Sequence, residues 1–513
     1  VDFDAPRPRI ITPRERGYVH RWIVAVHDGT AFSEHGELIT DPARFASENE
    51  GHVWIVDDPA WILNLMVEAH GSHLDFNYQI VTSEDDMPVR MVKSRITRFG
   101  FRCKHEKDTP ERAACPYRRR RAMHTVWSPA DLSPTPAKLI TDYSHESLLR
   151  LAVDIREWCE NENVPLPSTL AGIANALLRD KRFWPEPRGR VPRATNENVR
   201  RFLPGVHNES FTKPHDNYHP VVTALDQRTA YHVAAQQIPA PDPTSLFARG
   251  YFNHPDNSPL WAIPGDGLYE RTVRQPGVVF AECQVRPIRR HEVRPPAVRK
   301  SGRYRAALWT NEIPLVEQNG VTIIGLSTAW TSTRPDDGLP RYGAYAEQQV
   351  TEASDYRQRW LKPTLHALYG LLATRARHVK IGHLRGQSKN TGEARIGFGH
   401  TFPVRQADLG VIQPATVNTA ALGVLQSEIR KRSLSLARTL TEHGVTVLHV
   451  HADGLHVVGD PPLTPEGWKI EPLTRLRYLD GQSWIAEEKD CLPGRDERMR
   501  ITLMRETARR AIR

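Results

Sequence analysis

A mixed α+β fold spread over two domains is what this sequence predicts, on three observations. The chain has 513 residues, more than one hydrophobic core usually serves. Short apolar runs of strand length alternate with longer segments of helical periodicity. Turn formers, among them 40 prolines and 32 glycines, are spread along the chain without low-complexity tracts, so folding throughout is expected.

From the N-terminal side, Trp22-Ile-Val-Ala-Val26 and Val53-Trp-Ile-Val56 read as buried strands and Trp61 to His70 as a helix, together an α/β domain. Ser147 to Glu160 sets Leu148, Leu151, Ile155 and Trp158 on one side of a longer helix. A stretch rich in Pro and Arg, 185–195, follows, and the predicted boundary near residue 200 divides the chain into 1–200 and 201–513. Beyond it, Val221-Val-Thr-Ala-Leu225 is a strand ending in Asp226. Gln237 to Pro243 is a loop, because its prolines lack the N–H a ladder needs. Val278 to Val285 is another strand. Between Thr416 and Glu442, the spacing of Ala421, Leu425, Ile429, Leu436 and Leu440 predicts a long amphipathic helix closed by Gly444. A hairpin follows, with arms Val445 to Val450 and Leu455 to Val458 and a polar turn, His451-Ala-Asp-Gly454.

The net charge is +9, with Arg118 to Arg121 as a run and a second basic crowd between Arg286 and Arg305. A polyanionic partner and a merely solvated basic face both fit. Five cysteines, an odd number, without an N-terminal apolar signal stretch predict a reducing cytoplasmic compartment and no disulfide framework. No apolar run approaches the roughly 20 residues that cross a bilayer, so a soluble protein without a membrane partner is expected. Val1 in place of Met reads as a trimmed chain or a fragment.

Two carboxylates stand at the ends of apolar strands: Asp226 after Val-Val-Thr-Ala-Leu, and Asp453 in the hairpin turn. Rigid strand ends present polar groups to a cleft, and two converging carboxylates can hold a pair of Mg²⁺ ions for in-line displacement at phosphorus. Turn aspartates with no catalytic role are the other reading of the same positions.

Three motifs bear on that choice. Asp226-Gln-Arg-Thr-Ala-Tyr231 resembles the first palm motif of family B DNA polymerases, Asp-x-x-Ser-Leu-Tyr-Pro, with Thr229 at the Ser position. Lys362-Pro-Thr-Leu-His-Ala-Leu-Tyr-Gly370 resembles their fingers motif, Lys-x-x-x-Asn-Ser-x-Tyr-Gly. His449-Val-His-Ala-Asp453 resembles the third, Tyr-x-Asp-Thr-Asp, and a long helix directly precedes it, as in that family. The resemblance is to the phage-like type and runs from roughly residue 200 to the end.

The resemblance implies an RNase H-like exonuclease-type domain followed by palm, fingers and thumb, the thumb including Trp468 to Arg495 and the C-terminal helix. It implies template-directed addition of dNTPs to a 3′-hydroxyl on a DNA template-primer. Asp226 and Asp453 are then the catalytic ligands of two Mg²⁺ ions, with Mn²⁺ as a substitute. Thr229, Tyr231, Lys362, His366 and Tyr369 become nucleotide-binding positions. Lys362 faces the triphosphate, and Tyr231 forms the floor beneath the sugar and excludes a ribose 2′-hydroxyl; packing in the sheet core is the other reading of Tyr231. The spacing of Lys362, His366 and Tyr369 places them on one helix face. The sequence departs from the pattern at His451, which replaces the first Asp of the third motif, at His366 and Ala367, and at Ala230 and His232. The metal-binding Asp of the third motif is retained as Asp453, so an active enzyme is expected. A catalytically degenerate polymerase fold acting as a DNA-binding replication factor is the alternative.

By the same resemblance, Asp28, Asp75 and Asp154 are the remaining carboxylates of an exonuclease site. Thr30, Gly71 and Arg150 replace its Glu, Asn and Tyr, so a degenerate site without proofreading is expected. The stretch between Asp226 and Lys362 exceeds a minimal connection, and 237–340 and 377–410 are candidate insertions. Protein-primed phage polymerases have two insertions: one between these motifs, which contacts the priming protein, and a hairpin after the fingers motif. A terminal priming protein is therefore a candidate partner, with an elaborated palm as the alternative. Hairpin arms are expected at Val379-Lys-Ile381 and Ala394 to Phe398. Cys103, His105, Cys115 and His124 form a candidate zinc set, though at no standard spacing.

Overall fold

A computed structural model describes residues 23–487 apart from 49–51, 59–60, 63–64, 66–73, 84–92, 104–109, 111–121, 133–139, 141–142, 167–169, 186–190, 205–207, 211–217, 220–221, 251–258, 288–293, 374–376, 380–390, 397–399, 406–409, 413–416, 452, 460, 463–465, 474 and 481–482. Most of the expected helix from Trp61 to His70 and the expected C-terminal helix lie outside the described residues, as do His105 and Cys115. The chain divides into two compact units, each built from two segments: Val1–Pro187 with Gln349–Val417, and Arg188–Gln348 with Asn418–Arg513. The first crossing falls close to the boundary read near residue 200, whereas the segment carrying Lys362 clusters with the N-terminal unit.

In the first unit, β1 (Ile23–His27), β2 (Thr30–Ser33), β3 (Leu38–Ile39), β4 (Val53–Val56), β5 (Leu74–Ser83), β6 (Lys93–Cys103) and β7 (Ala122–Trp127) form one sheet of order β3-β2-β1-β4-β7-β6-β5. An antiparallel meander, β3-β2-β1, leads into the parallel strands β4 and β7, and the hairpin β5/β6 extends the far edge. The run Val53-Trp-Ile-Val56 is buried on both faces, as a central parallel strand requires. Asp28-Gly29 turns β1 into β2 with both residues in the left-handed region (φ 47° and 75°).

Helix α1 (His145–Asn161) begins at Ser144, whose Oγ accepts from the Ser147 N–H at 3.2 Å, and buries Leu148, Leu151, Ile155 and Trp158. Helices α2 (Leu170–Leu177) and α6 (Asp355–Leu371) complete this core, with the Trp158 and Trp360 rings meeting edge to face. Among the described residues, the expected hairpin arms around Val379 and Ala394 do not pair with each other. Instead β18 (Thr391–Ile396) pairs with β19 (His400–Arg405), and β17 (Arg377–Val379) with β20 (Gly410–Ile412). Closing the shorter loop costs less chain entropy, which favours the nearer partner for Ala394.

In the second unit, β8 (Asn208–Ser210), β10 (Val222–Gln227), β21 (Val447–His451), β22 (Gly454–Val458) and β23 (Trp468–Leu473) form an antiparallel sheet of order β23-β10-β22-β21-β8. Behind it lies α7 (Thr419–Glu442), ended by Gly444 in left-handed backbone (φ 81°). Leu225, Val450, Leu455 and Val457 of the sheet pack on Leu434, Ala437 and Leu440 of this helix.

Residues 237–340 build a second sheet, β12 (Leu246–Gly250), β13 (Gly277–Val285), β14 (Gly302–Trp309) and β15 (Val321–Ser332), in the order β12-β15-β13-β14. Within the loop expected at Gln237 to Pro243, β11 (Ala240–Pro241) makes a two-residue ribbon with β16 (Pro335–Asp336). A small sheet of β9 (Tyr218–His219), β24 (Arg475–Asp480) and β25 (Ser483–Glu487) includes part of the expected thumb. Helix α3 (Arg193–Arg200) supplies Asn196, whose Oδ1 accepts from the Thr419 N–H at the start of α7.

Two contacts fix α7 against the second sheet. A Cβ built on Gly423 would lie 1.8 Å from the Trp309 ring, so only glycine permits this approach. Seven residues on, Arg430 grips Glu312 through two parallel bonds of 2.6 and 2.7 Å, and Glu312 is fully buried. Removing one partner strands the other charge. Glu312→Ala is expected to destabilise this unit by about 3–5 kcal/mol in denaturant unfolding, and a near-neutral result would mean that Arg430 finds water.

Candidate active site

The pairing of β10 with β22 brings the two sequence-predicted catalytic carboxylates to one end of one sheet. Asp226 stands opposite Gly454, next in chain to Asp453, and the Gln227 N–H donates to the Asp453 carbonyl at 2.9 Å. Alternation sends Leu225 and Gln227 into the core and leaves Asp226 exposed, with Asp453 half-buried. Among the described residues, no hydrogen bond or ion pair engages the Asp453 carboxylate. A half-buried carboxylate in that state, next to a second one, fits a hard cation with oxygen ligands.

Asp226 is followed by a tight turn. Thr229 adopts the left-handed region (φ 44°), which is strained for a β-branched residue. Its hydroxyl donates to Glu347 Oε1 at 3.3 Å, and Gln236 donates to the other oxygen of Glu347. Glu347 lies on α5 (Gly338–Glu352), which packs so closely on α4 (Ala230–Gln237) that a Cβ on Gly343 would lie 2.7 Å from the His232 carbonyl. Tyr231, on the first turn of α4, is half-buried. Burial pushes its phenol up, a hydrogen bond from Gln426 of α7 pulls it down, and the Asp453 charge raises it again. Tyr231 is thus tied to α7 through Gln426 and lies within the field of the Asp453 charge.

Lys362, His366 and Tyr369 all lie on α6, in the other unit. Lys362 is exposed, as a phosphate-binding cation needs to be. Burial, and then the Lys362 charge, push the His366 imidazole down to about 4, so it is neutral at pH 7. Tyr369 is only 2% exposed and meets the His366 ring edge-on at 5.9 Å. It therefore lies in the buried face of the helix, whereas Lys362 lies on the exposed one.

The three carboxylates assigned to an exonuclease site are not brought together. Asp28 lies at the end of β1, while Asp75 is on the edge strand β5, with β4, β7 and β6 between. Both oxygens of Asp154 are engaged by α6: Arg357 Nε donates at 2.9 Å and Trp360 Nε1 at 2.7 Å. Asp28 is joined instead by two residues that the sequence reading missed. His27 Nδ1 lies 2.7 Å from Asp57 Oδ2, and that same oxygen accepts from the Asp28 N–H at 3.1 Å. Among the described residues, His27, Asp28 and Asp57 are the one group of three arranged to hold a metal ion. Asp57, at the end of β4, was legible only as the polar stop of an apolar run. The zinc set loses His124, which is fully buried with one ring nitrogen 2.8 Å from the Ala46 carbonyl and the other accepting from the His52 N–H.

No protein-family model matches the sequence, and no curated protein matches it. Among solved structures the fold is similar to that of DNA polymerases. Phi29 DNA polymerase complexed with primer-template DNA and incoming nucleotides is similar with a TM-score of 0.58 at 10% identity, covering 92% of both chains. The same enzyme with primer-template DNA alone gives 0.57 at 11% identity, covering 92% of this chain and 90% of that one. Among the described residues, no helix is long and apolar enough to cross a membrane.

Two outcomes test these placements. Asp154→Asn should lower the stability of the first unit by about 2–3 kcal/mol in denaturant unfolding, through loss of the Arg357 pair; an unchanged midpoint would remove the structural role. For His366 the folded value, about 4, lies below the usual 6.5. The unfolded chain therefore takes the proton first, and stability is lost as pH falls from 6.5 towards 4. His366→Gln should flatten that part of the stability–pH curve.

Proposed function

We propose that this protein is a template-directed DNA polymerase that adds dNTPs to a primer 3′-hydroxyl by two-metal nucleotidyl transfer. One observation carries the reading: Asp226 and Asp453 stand at neighbouring strand ends, tied by the Gln227 N–H to the Asp453 carbonyl, in a fold similar to that of phi29 DNA polymerase. That enzyme is described with primer-template DNA and incoming nucleotides. DNA and dNTPs are the corresponding partners in this reading, which takes the protein to act in the cytoplasm.

Asp226 and Asp453 would hold two Mg²⁺ ions, with Mn²⁺ as a substitute. When bound, these ions supply charge neutralisation at the α-phosphate and a lowered pKa for the primer hydroxyl. The protein's own groups do the rest. By the motif resemblance Lys362 would supply a fixed cation for the triphosphate, and His366 on the same helix is neutral at pH 7. Thr229, held in strained backbone by Glu347, shapes the turn under the nucleotide. Tyr231, braced by Gln426, would exclude a ribose 2′-hydroxyl by steric clash.

The meander leading into parallel strands supports reading the first unit as RNase H-like and exonuclease-type. Asp154 engaged by Arg357, and Asp57 engaged by His27, support a degenerate nuclease site. The sheet built by 237–340 is the candidate surface for a terminal priming protein. His451, in place of an aspartate, motivates the second reading, a DNA-binding replication factor without catalysis.

Primer extension on a DNA template separates the two readings. The expected result is template-dependent dNTP incorporation, abolished in Asp453→Ala, with single-stranded DNA left intact by the protein in Mg²⁺. Tyr231→Ala should raise NTP incorporation relative to dNTP by at least about tenfold, the equivalent of 1.4 kcal/mol. DNA binding without incorporation by folded protein would favour the replication factor.

A further inference from the structure

We infer that Gln227 is the positioning residue of the strand-end carboxylates, setting Asp226 and Asp453 in register with each other by locking their strands to α7. The inference rests on the reading of these two aspartates as metal ligands. Gln227 follows Asp226 directly and is 2% exposed. Its backbone N–H donates to the Asp453 carbonyl at 2.9 Å. Its side-chain Nε2 donates to the Ile429 carbonyl at 3.1 Å and to Ser433 Oγ at 2.8 Å, both on α7. One residue thus joins the end of β10, the Asp453 turn and the long helix.

A buried amide is an unusual choice for packing alone. Leu225, two residues earlier on the same face, packs in the apolar cluster against α7, and another leucine would serve for burial. The amide side chain adds direction. Two bonds to successive turns of a helix fix the strand's rotation about its own axis, and that rotation aims Asp226 from the opposite face. The helix can serve as reference because Arg430, next to Ile429, is locked to buried Glu312. On the other flank β10 continues its ladder, with Gln227 opposite Trp468. Without the side-chain bonds, the carboxylate pair would keep its residues and lose its fixed separation.

The test uses the full chain and Mn²⁺ as the probe, followed by electron paramagnetic resonance of the free ion. Sites lost in the Asp226→Ala, Asp453→Ala double variant define those of the strand ends. Gln227→Leu is expected to fold and to bind Mn²⁺ at these sites between about 10- and 100-fold more weakly, the usual effect of removing a group that orients a ligand. In primer extension its kcat should fall at saturating Mn²⁺, while KM for dNTP changes less than about threefold, because the loss lies in the reacting geometry. Ser433→Ala, which removes one of the two bonds, should give an intermediate loss of Mn²⁺ affinity and serves if Gln227→Leu fails to fold. Unchanged Mn²⁺ affinity in folded Gln227→Leu, or in Ser433→Ala should Gln227→Leu not fold, would overturn the inference. So would the absence of any Mn²⁺ site removed by the double aspartate variant. Polymerase activity is read separately: a wild type that binds Mn²⁺ at the strand ends and incorporates no nucleotide overturns the polymerase reading and leaves the Mn²⁺ series to judge Gln227.

Discussion

The register of β10 against β22 is the constraint on which the site depends. With Asp226 opposite Gly454, the inward residues Leu225 and Leu455 meet in the core while the carboxylates emerge together at the strand ends. A slip of one residue would turn Leu225 to solvent and Asp226 into the helix interface, so apolar burial and chemical placement are fixed by the same pairing. The cost of such a slip is borne by the whole cluster on α7, far more than two aspartates could impose. The placement of the two carboxylates is a by-product of core packing, fine-tuned by polar bonds.

The first unit uses carboxylates differently. Asp154 holds α6 against α1 through Arg357 and Trp360, and the Arg150 guanidinium lies 4.2 Å over the Tyr356 ring in the same interface. Charges that a nuclease would expose to metal are here consumed in joining helices. The group at His27, Asp28 and Asp57 is likewise partly spent, since Asp57 accepts from the backbone that turns β1 into β2.

Local signals made much of this legible. The strand Val53–Val56, the long helix ending at Gly444 and the hairpin around Asp453 follow from runs, periodicity and cap residues, and the structure places them within a few residues of expectation. Asp226 and Asp453 stood out because each ended an apolar run, and their adjacency depended on which strands pair. Such pairings are decided by contacts distant in sequence, so nothing local could show that β5 would lie at the far edge, removing Asp75 from Asp28. Tyr369 matched a motif position yet lies in the core, because helical spacing identifies a face without saying whether that face meets solvent. Gln227 occupied a position that the motif leaves unspecified, and only its bonds to α7 reveal it.

The two-segment construction of each unit bears on how the chain matures at the ribosome. Asp154 and its partner Arg357 are 203 positions apart, and the segment between them belongs largely to the other unit. At roughly 5–20 residues per second, α1 would wait about 10–40 s for the helix that neutralises its aspartate. During that interval the apolar edge around Trp158 lacks its cover. The order of synthesis thus separates the making of this core from its completion by the length of a whole intervening segment.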